Sequence, residues 1–555
     1  MSILNYKMEI SNKKSVIYLI SLCKQLEINQ IVVCPGSRNL PLILSFTNDP
    51  YFICHSCIDE RAAGFLALGI IKASQKPAIV ITTSGSAAIN LAPAMAEAFY
   101  LNLPLIAITA DRPKEWINKG ENQTIIQNGL FANYVQYELE IDENISFENF
   151  DKRISTLIKV LYLPDYKGNV HINMPFSEPL IKTENIIGDF KFSLPNLNTI
   201  NKELNLNFND WIGKNVLIYL SSHSIDKELV ELLDYGIDNL NWIVISDIYS
   251  NYNHPKSVYS IDLIFSLNNI IQSPDILITI GEQMLSKKAR YFFKTLYNLM
   301  HIDVNIKNRN WNSISHDYKF VKASPIHFLK ELIVSKSKNK KDFAQAWQNY
   351  QTSALQYHNQ FFSTPRYSEF CVTNFIMNHI EEDAHVYWGN SSLIRYANWC
   401  KNLKNSQVIY LSNRGASGIE GVLSSAIGYQ VVENKDNYYC ILGDISFLYE
   451  LGSLHSLKEI HSIKIIVFNN HGGKIFDNIH NLSKGNKKSE LMTPQNYDLS
   501  LLAKFIDIEY FKLSNLNDFI SKFTDLKYKT GKYLIEIDFP ENSNLDWKKY
   551  FDIKI

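Results

Sequence analysis

An aspartate and a pair of asparagines close two apolar runs in the segment YYCILGDISFLYELGSLHSLKEIHSIKIIVFNNHGG, residues 438–473. The pattern predicts strand, helix and strand, with Asp444 ending the first strand and Asn469-Asn470 ending the second. In an open parallel sheet, ligands collect beyond the carboxyl ends of the strands. A carboxylate and an amide oxygen meeting there suit a hard cation, and a magnesium ion carrying a diphosphate is the guest they fit. The helix after Asp444 adds unpaired N–H groups and a favourable dipole for phosphate oxygens.

Other polar clusters fall at comparable places. Cys34-Pro35-Gly36-Ser37-Arg38 follows a strand, Asp59-Glu60-Arg61 opens a helix, and Thr83-Ser84-Gly85-Ser86 is a strand-to-helix turn. Asp111-Arg112-Pro113 and Glu121-Asn122-Gln123 follow a further strand. Near the other end, Gly389-Asn390-Ser391-Ser392 with Arg395, and Ser412-Asn413-Arg414-Gly415, take equivalent positions. Two such edges facing each other would bring Arg38, Arg112, Arg395 and Arg414 to one cleft suited to carboxylates and phosphates.

Each group also has a plainer reading. Glu60 alone is a helix N-terminal carboxylate, Arg38 and Arg112 are surface ion pairs, and Asp444 and Asn470 are caps. Ile419, Ile475 and Phe476 would be core residues. Cys54-His55-Ser56-Cys57 has redox spacing, but no second pair exists for a zinc site and the segment reads as a strand. His55, His455 and His471 are the histidines that could serve as acid–base groups.

The elements that must position these groups follow βαβ grammar, so the fold class is α/β, with three α/β domains built on parallel sheets. INQIVVCPG, PYFICHSC, KPAIVITTSG, LPLIAITAD and NVHINMPF are strands of a first domain, residues 1–183. A pattern-poor stretch from about residue 185 to 203 reads as a linker. NVLIYLSS, NWIVISDIY, DILITIGEQ and LMHIDVN build a middle domain, 204–334, without a dinucleotide fingerprint. The run SKSKNKK that follows reads as a solvated connector. AHVYWGNSS, SQVIYLSNRG, NYYCILGD, IKIIVFNN and KYLIEIDF belong to a last domain, 360–555.

Composition narrows the function classes. The 555 residues suffice for roughly three domains of about 150 residues. With 55 basic and 56 acidic residues, the balance supports neither nucleic-acid binding nor a polybasic membrane contact, so any anion must be held by local groups. Seven scattered cysteines in mostly apolar runs predict reduced thiols and a cytoplasmic location. The opening MSILNYKMEISNKK lacks an apolar signal core, and no apolar run approaches the roughly 20 residues that span a bilayer, so no stable membrane insertion is expected.

Gly443-Asp444 followed by Asn469-Asn470, with Glu60 in the first domain, resembles the metal and diphosphate motif of thiamine diphosphate enzymes. The blocks CPGSRNLPL, DERAAGFLALG, TTSGSAAINLAPAMAEA, TADRPKE, ENQTIIQ, SNRGASGIEG and NNHGGKIF are similar to one family among them, the 2-succinyl-5-enolpyruvyl-6-hydroxy-3-cyclohexene-1-carboxylate (SEPHCHC) synthases of menaquinone biosynthesis. The likeness covers nearly the whole chain and is weakest in the middle. Ile445, where most thiamine enzymes have glycine, matches this family's bulky residue.

The resemblance implies a pyrimidine-binding first domain and a diphosphate- and metal-binding last domain, in a homodimer or homotetramer with active sites at the subunit interface. It implies thiamine diphosphate with Mg2+ or Mn2+ as cofactors. The implied reaction decarboxylates 2-oxoglutarate and adds the succinyl-semialdehyde carbanion to isochorismate in a 1,4-addition. Glu60 and Gln123 would be catalytic. Glu60, Ser412, Ile419, Gly443, Asp444, Ser446 and Asn470 would hold the cofactor, with Asp444, Asn470 and the Gly472 carbonyl on the metal. Ser391 and Arg395 would bind the distal carboxylate of the oxoglutarate unit. Ser37, Arg38, Arg112, Gln123, Arg414 and a lysine from Lys287-Lys288 would hold substrate, chiefly isochorismate, while Ile475 and Phe476 wall the apolar side. Two alternatives remain open: another thiamine enzyme acting on smaller 2-oxo acids, and a binding protein that keeps the fold without turnover.

Overall fold

The computed structural model describes residues 9–164, 166–185, 190–196, 204, 206–221, 226–268, 270–306, 314–315, 317–403, 407–478, 488–541 and 543–552. The chain divides into two compact units. One comprises Met1–Thr199, Asn413–Lys435 and Ser446–His461, and the other Ile200–Ser412, Asp436–Ile445 and Ser462–Ile555.

In the first unit, β1 (Glu9–Ser11) pairs antiparallel with β8 (Thr183–Asn185). Between them lie β2 (Gln30–Val33), β3 (Ile53–Ser56), β4 (Ala78–Thr82), β5 (Leu105–Asp111), β6 (Tyr137–Glu140) and β7 (Val170–Pro175). These six form a parallel sheet in the order β3-β2-β4-β5-β7-β6. Every residue of β4, β5 and β7 is buried, as expected of central strands covered on both faces.

The helix Glu60–Ser74 starts where Asp59 accepts the N–H of Ala62 at 3.1 Å. It packs backbone to backbone on the helix Val422–Glu433. A Cβ on Gly69 would fall 2.0 Å from the Ser425 carbonyl oxygen, and one on Gly428 would fall 1.9 Å from that of Leu66. Glycine at both places is what lets the helix that begins at Glu60 lie against the one that follows the Ile419 loop.

The second unit holds two parallel sheets. β9 (Val216–Leu220), β10 (Ile243–Ser246), β11 (Ile276–Ile280), β12 (Met300–Asn305) and β13 (Asp317–Lys322) take the order β10-β9-β11-β12-β13. β14 (His385–Trp388), β15 (Ile409–Leu411), β16 (Tyr438–Gly443), β17 (Ile463–Asn469), β18 (Glu509–Leu513) and β19 (Lys532–Asp538) take the order β15-β14-β16-β17-β19-β18. One core contains residues from both sheets' layers, including Tyr219, Ile245, Trp347, Phe370, Tyr396 and Tyr550.

Among the described residues, five strands escape the apolar-run pattern: β6, β13 and β18, each at the edge of its sheet, and the short antiparallel pair β1 and β8. The charged run after residue 334 is also more than a solvated connector, because Ser337 and Asn339 are buried. The Asn339 amide accepts the N–H of Val216 at 2.7 Å and donates to its carbonyl at 2.8 Å. The same residue therefore serves the start of β9 much as a neighbouring backbone would. All seven cysteines are free thiols; burial pushes Cys54 and Cys57 up to about 11, so the redox spacing carries no reactive thiolate. Among the described residues, no helix is long and apolar enough to cross a membrane.

A half-buried histidine gives this packing a pH signature. His358 Nδ1 lies 2.8 Å from the Tyr550 hydroxyl and Nε2 lies 3.1 Å from Asn374 Oδ1. The neutral ring satisfies both, accepting from Tyr550 and donating to Asn374, and burial pulls its pKa down to about 4. His301 is likewise lowered to about 4 by burial. Below pH 6.5 the unfolded chain takes up protons that these folded sites refuse. Stability therefore falls as pH drops from about 6.5 to about 4, by at most about 3 kcal/mol per histidine. Chemical denaturation at pH 7 and pH 5 checks this: His358→Gln loses less stability on acidification than the parent chain, and an unchanged loss rules the assignment out.

Candidate active site

The parallel register sets Gly443 beside Phe468 and Asn469 beside Asp538, so Asp444 and Asn470 leave neighbouring strands at one edge. Trp388 pairs with Ile441, which brings Gly389-Asn390-Ser391 to that same edge. Asp444 is buried; its Oδ2 accepts from the Gly472 N–H at 2.7 Å and from Gln495 Nε2 at 2.6 Å, and its Oδ1 accepts from the Ile445 N–H at 2.9 Å. Burial pushes its pKa up, against the pull of these hydrogen bonds.

Asn470 donates through Nδ2 to Glu369 Oε1 at 2.9 Å. That bond fixes the amide's orientation and leaves Oδ1 buried with no partner among the described residues. Gly472 has φ +137°, and a Cβ there would lie 2.6 Å from the Met492 carbonyl. Its own carbonyl accepts from the Lys474 N–H at 2.9 Å, which leaves a second lone pair. One carboxylate, one orphaned amide oxygen and one carbonyl make an all-oxygen donor set that fits magnesium. Among the described residues, no group of three His, Cys, Asp or Glu side chains could hold a metal. A divalent ion here therefore needs the further negative charge of a ligand such as a diphosphate. His471 is engaged elsewhere, 2.8 Å from Asp538. A Cβ on Gly443 would meet nothing within 4 Å.

A cavity of about 490 Å³ lies in the same unit. It gathers five of the expected residues, Lys287, Lys288, Arg395, Ile475 and Phe476, from three separated stretches of sequence. Ser391 precedes the helix Ser392–Trp399 at φ 68° and accepts from Arg395 Nη1, so the expected pair is in contact. A serine at positive φ is strained and needs surrounding structure to hold it there. The two lysines differ. Lys288 donates to Ser266 Oγ and to the Asp262 carbonyl at 3.5 Å, with its ammonium 4.2 Å from the Phe551 ring centroid. Burial lowers its pKa. Lys287 is exposed.

The first unit assembles another cationic group. Arg38 is buried, not at the surface: it donates to the Phe176 carbonyl at 2.8 Å, pairs with Glu178 at 3.2 Å and lies over Trp116. Burial, then the nearby Arg112 charge, pull its pKa down. Arg112 donates to Gln123 Oε1 at 3.4 Å, and Gln123 adopts φ 54°. The buried Nε of Arg38 and of Arg112 both lack a partner among the described residues. Two guanidinium groups with unused donors favour an anion. Ser37 is exposed next to them. Glu60 is half-buried, with Asn90 Nδ2 at 3.4 Å from its Oε2.

Buried carboxylates that the sequence pattern did not single out hold the Asn413–Gly421 loop. Glu97, 2% exposed, accepts the N–H groups of Gly415 at 2.8 Å, Ala416 at 2.7 Å and Ser417 at 3.3 Å. Glu450 accepts from the Ser424 N–H at 2.8 Å and from the Gly421 N–H. Lys72 donates to Asn413 Oδ1 at 2.7 Å. These contacts set the loop that carries Arg414 and Ile419, and the Ser446 hydroxyl donates to the Ile419 carbonyl. Ser412, half-buried, precedes the loop. The available signal for Glu97 was a lone carboxylate inside the small-residue helix APAMAEAFYL.

Residues 14–131 match the family model of the thiamine pyrophosphate enzyme N-terminal TPP binding domain, and residues 390–537 match that of the C-terminal TPP binding domain. The chain is 33% identical over 559 residues to a SEPHCHC synthase of Flavobacterium johnsoniae, covering 96% of this chain and 97% of that protein. It is 33% identical over 509 residues to the synthase of Flavobacterium psychrophilum, covering 89% and 90%. For that of Phocaeicola vulgatus the identity is 31% over 507 residues, covering 88% of each. With the oxygen donor set at its strand exit and its cationic groups placed as above, and with likeness along nearly its full length, the chain belongs to the SEPHCHC synthase family of thiamine diphosphate-dependent enzymes.

Proposed function

We propose that this enzyme joins 2-oxoglutarate, with loss of carbon dioxide, to isochorismate, giving SEPHCHC for menaquinone biosynthesis. The observation that carries the reading is the cavity in which Lys287, Lys288 and Arg395 meet the apolar Ile475 and Phe476, within a chain of this family. Both substrates are dicarboxylates, and cations set against an apolar wall suit a carbon skeleton with charged ends. An enzyme for pyruvate-sized acids has less use for so many clamps. Thiamine diphosphate, when bound, supplies the carbanion chemistry that side chains lack.

The protein's part is holding, orienting and proton management. Asp444, Asn470 Oδ1 and the Gly472 carbonyl would hold Mg2+ or Mn2+ on the diphosphate, with Ser412, Gly443 and Ser446 lining that end. Glu60 would share a proton with N1′ of the pyrimidine, and Ile419 would give the cofactor an apolar support. Arg395 with Ser391 would clamp the distal carboxylate of 2-oxoglutarate. Arg38, Arg112 and Arg414, with Ser37 and a lysine of the 287–288 pair, would hold isochorismate. Gln123 would face the reacting atoms, and Ile475 and Phe476 would keep water away. The enzyme would work in the cytoplasm, where free thiols persist, as a homodimer or homotetramer with active sites at the subunit interface.

Isochorismate consumption by the purified protein should require thiamine diphosphate, a divalent metal and 2-oxoglutarate together; turnover of pyruvate instead would point to another thiamine enzyme, and cofactor binding without turnover to a binding protein. Glu60→Gln should still bind metal and diphosphate, yet slow C2 proton exchange of the bound cofactor by about 10²- to 10⁴-fold. Proton exchange at the parent rate, followed by NMR, would remove Glu60 from that role. Arg395→Ala should raise KM for 2-oxoglutarate about tenfold or more, with a smaller effect for isochorismate. Equal losses for the two substrates would refute a dedicated clamp.

A further inference from the structure

Asn469 ends β17 beside Asn470, yet the expected donor set uses only Asn470. The Asn469 side chain is spent inside the protein. Its Nδ2 donates to the buried Glu536 Oε1 at 2.7 Å, and its Oδ1 accepts from Gln495 Nε2 at 2.9 Å and from the His471 N–H at 3.1 Å. A carboxylate only accepts, so Glu536 settles which end of the Asn469 amide faces Gln495. The Tyr510 hydroxyl donates to the other Glu536 oxygen. Gln495 is fixed in the same sense from its own side, because its Oε1 accepts the Tyr497 N–H at 2.9 Å. Both of its Nε2 protons are then committed, one to Asn469 and one to Asp444 Oδ2 at 2.6 Å. The segment that carries Gln495 is seated on the turn after β17, where the Gly473 N–H donates to the Met492 carbonyl at 2.6 Å and the Gln495 N–H to that of His471 at 3.4 Å.

The consequence falls on Asp444. Its Oδ2 carries two N–H groups, from Gln495 and Gly472, while Oδ1 carries one, from Ile445. Oδ2 is therefore occupied, and Asp444 has one oxygen to give to a cation. Mg2+ demands a near-ideal octahedron of about six oxygens, whereas Ca2+ accepts up to about eight and takes carboxylates through one oxygen or both. A carboxylate confined to one oxygen suits the smaller ion. We propose that Gln495, held by Asn469 and Glu536, is a specificity-determining residue that keeps Asp444 monodentate and so sets the site for an ion of the size of Mg2+ or Mn2+ over Ca2+. This rests on the reading that Asp444, Asn470 and Gly472 hold a divalent ion on thiamine diphosphate.

The test uses the full-length protein with saturating thiamine diphosphate and no substrate. Bound Mn2+ is followed by electron paramagnetic resonance and displaced with Mg2+ or with Ca2+, so each affinity is read without turnover. Gln495→Met keeps the bulk and removes both donors, and Asn469→Leu keeps Gln495 but removes its support. Gln495→Met should weaken Mg2+ about tenfold or more and leave Ca2+ within about twofold, so the preference between them shrinks about fivefold or more. Asn469→Leu should shift the preference the same way by a smaller factor, and the double variant should be no worse than Gln495→Met alone. If Gln495→Met fails to fold, Asn469→Leu decides by itself. Equal losses for both ions, a preference unchanged in whichever variant folds, or a parent chain that binds Ca2+ as tightly as Mg2+ overturns the selectivity role and leaves the metal site standing. Asp444→Ala should abolish Mn2+ binding; Mn2+ binding retained in that variant overturns the metal site and the selectivity role together.

Discussion

The register of β16 on β17 is the constraint on which the site depends. Because Gly443 sits beside Phe468, the chain must release Asp444 and Asn470 at the same level of the sheet, and the turn that follows returns the Gly472 N–H to the Asp444 carboxylate. A one-residue slip would move every side chain of one strand to the other face and break the donor set. The fully buried strands prevent that slip, since both faces are covered by apolar residues that tolerate no exposure. The placement of Asp444 and Asn470 is thus inherited from core packing.

Around that frame, buried carboxylates hold the functional backbone in place. Glu369 orients the Asn470 amide, Glu97 gathers three successive N–H groups of one loop, Glu450 secures the next helix start, and Asp262 joins the Ser286 hydroxyl to the Trp399 indole. Charge-assisted hydrogen bonds are about twice as strong as neutral ones, and two oxygens can serve several donors, so a carboxylate is an efficient brace for irregular chain. Such braces also reduce the reorganisation a site must undergo when a charged ligand arrives.

The buried strands and the site differ in how legible they were. Central strands announced themselves as unbroken β-branched runs, and each ended in a polar cluster that the sheet places at its carboxyl edge. The edge strands β6, β13 and β18 did not, because an edge needs only partial burial and their sequences YELE, DYKFVK and EYFKL mix charges with apolar residues. Asp444 and Arg395 were singled out by their places after apolar runs, and Lys287 through family likeness. The buried carboxylates Glu97 and Asp262 were not: a carboxylate whose partners are backbone groups or a distant indole leaves no local spacing to detect. Asn339 was hidden for the same reason, its partner Val216 being far away in sequence.

Two of the candidate groups carry unused bonding capacity of opposite sign. Near the strand exit it is an acceptor, Asn470 Oδ1, while in the first unit it is a pair of donors, the Nε groups of Arg38 and Arg112. Buried polar atoms without partners destabilise a fold by about 1–3 kcal/mol each, so their retention needs a compensating ligand. An orphaned acceptor calls for a cation and orphaned guanidinium donors call for an anion. A single reaction that uses a metal-bound diphosphate and acidic substrates supplies both. The strain at Ser391 and Gln123 has the same logic, because positive φ at a non-glycine residue is sustained only where neighbouring structure fixes it. Both residues stand where the proposed substrates would meet the protein, so the unsatisfied groups and the strained backbone mark the same surfaces by independent physics.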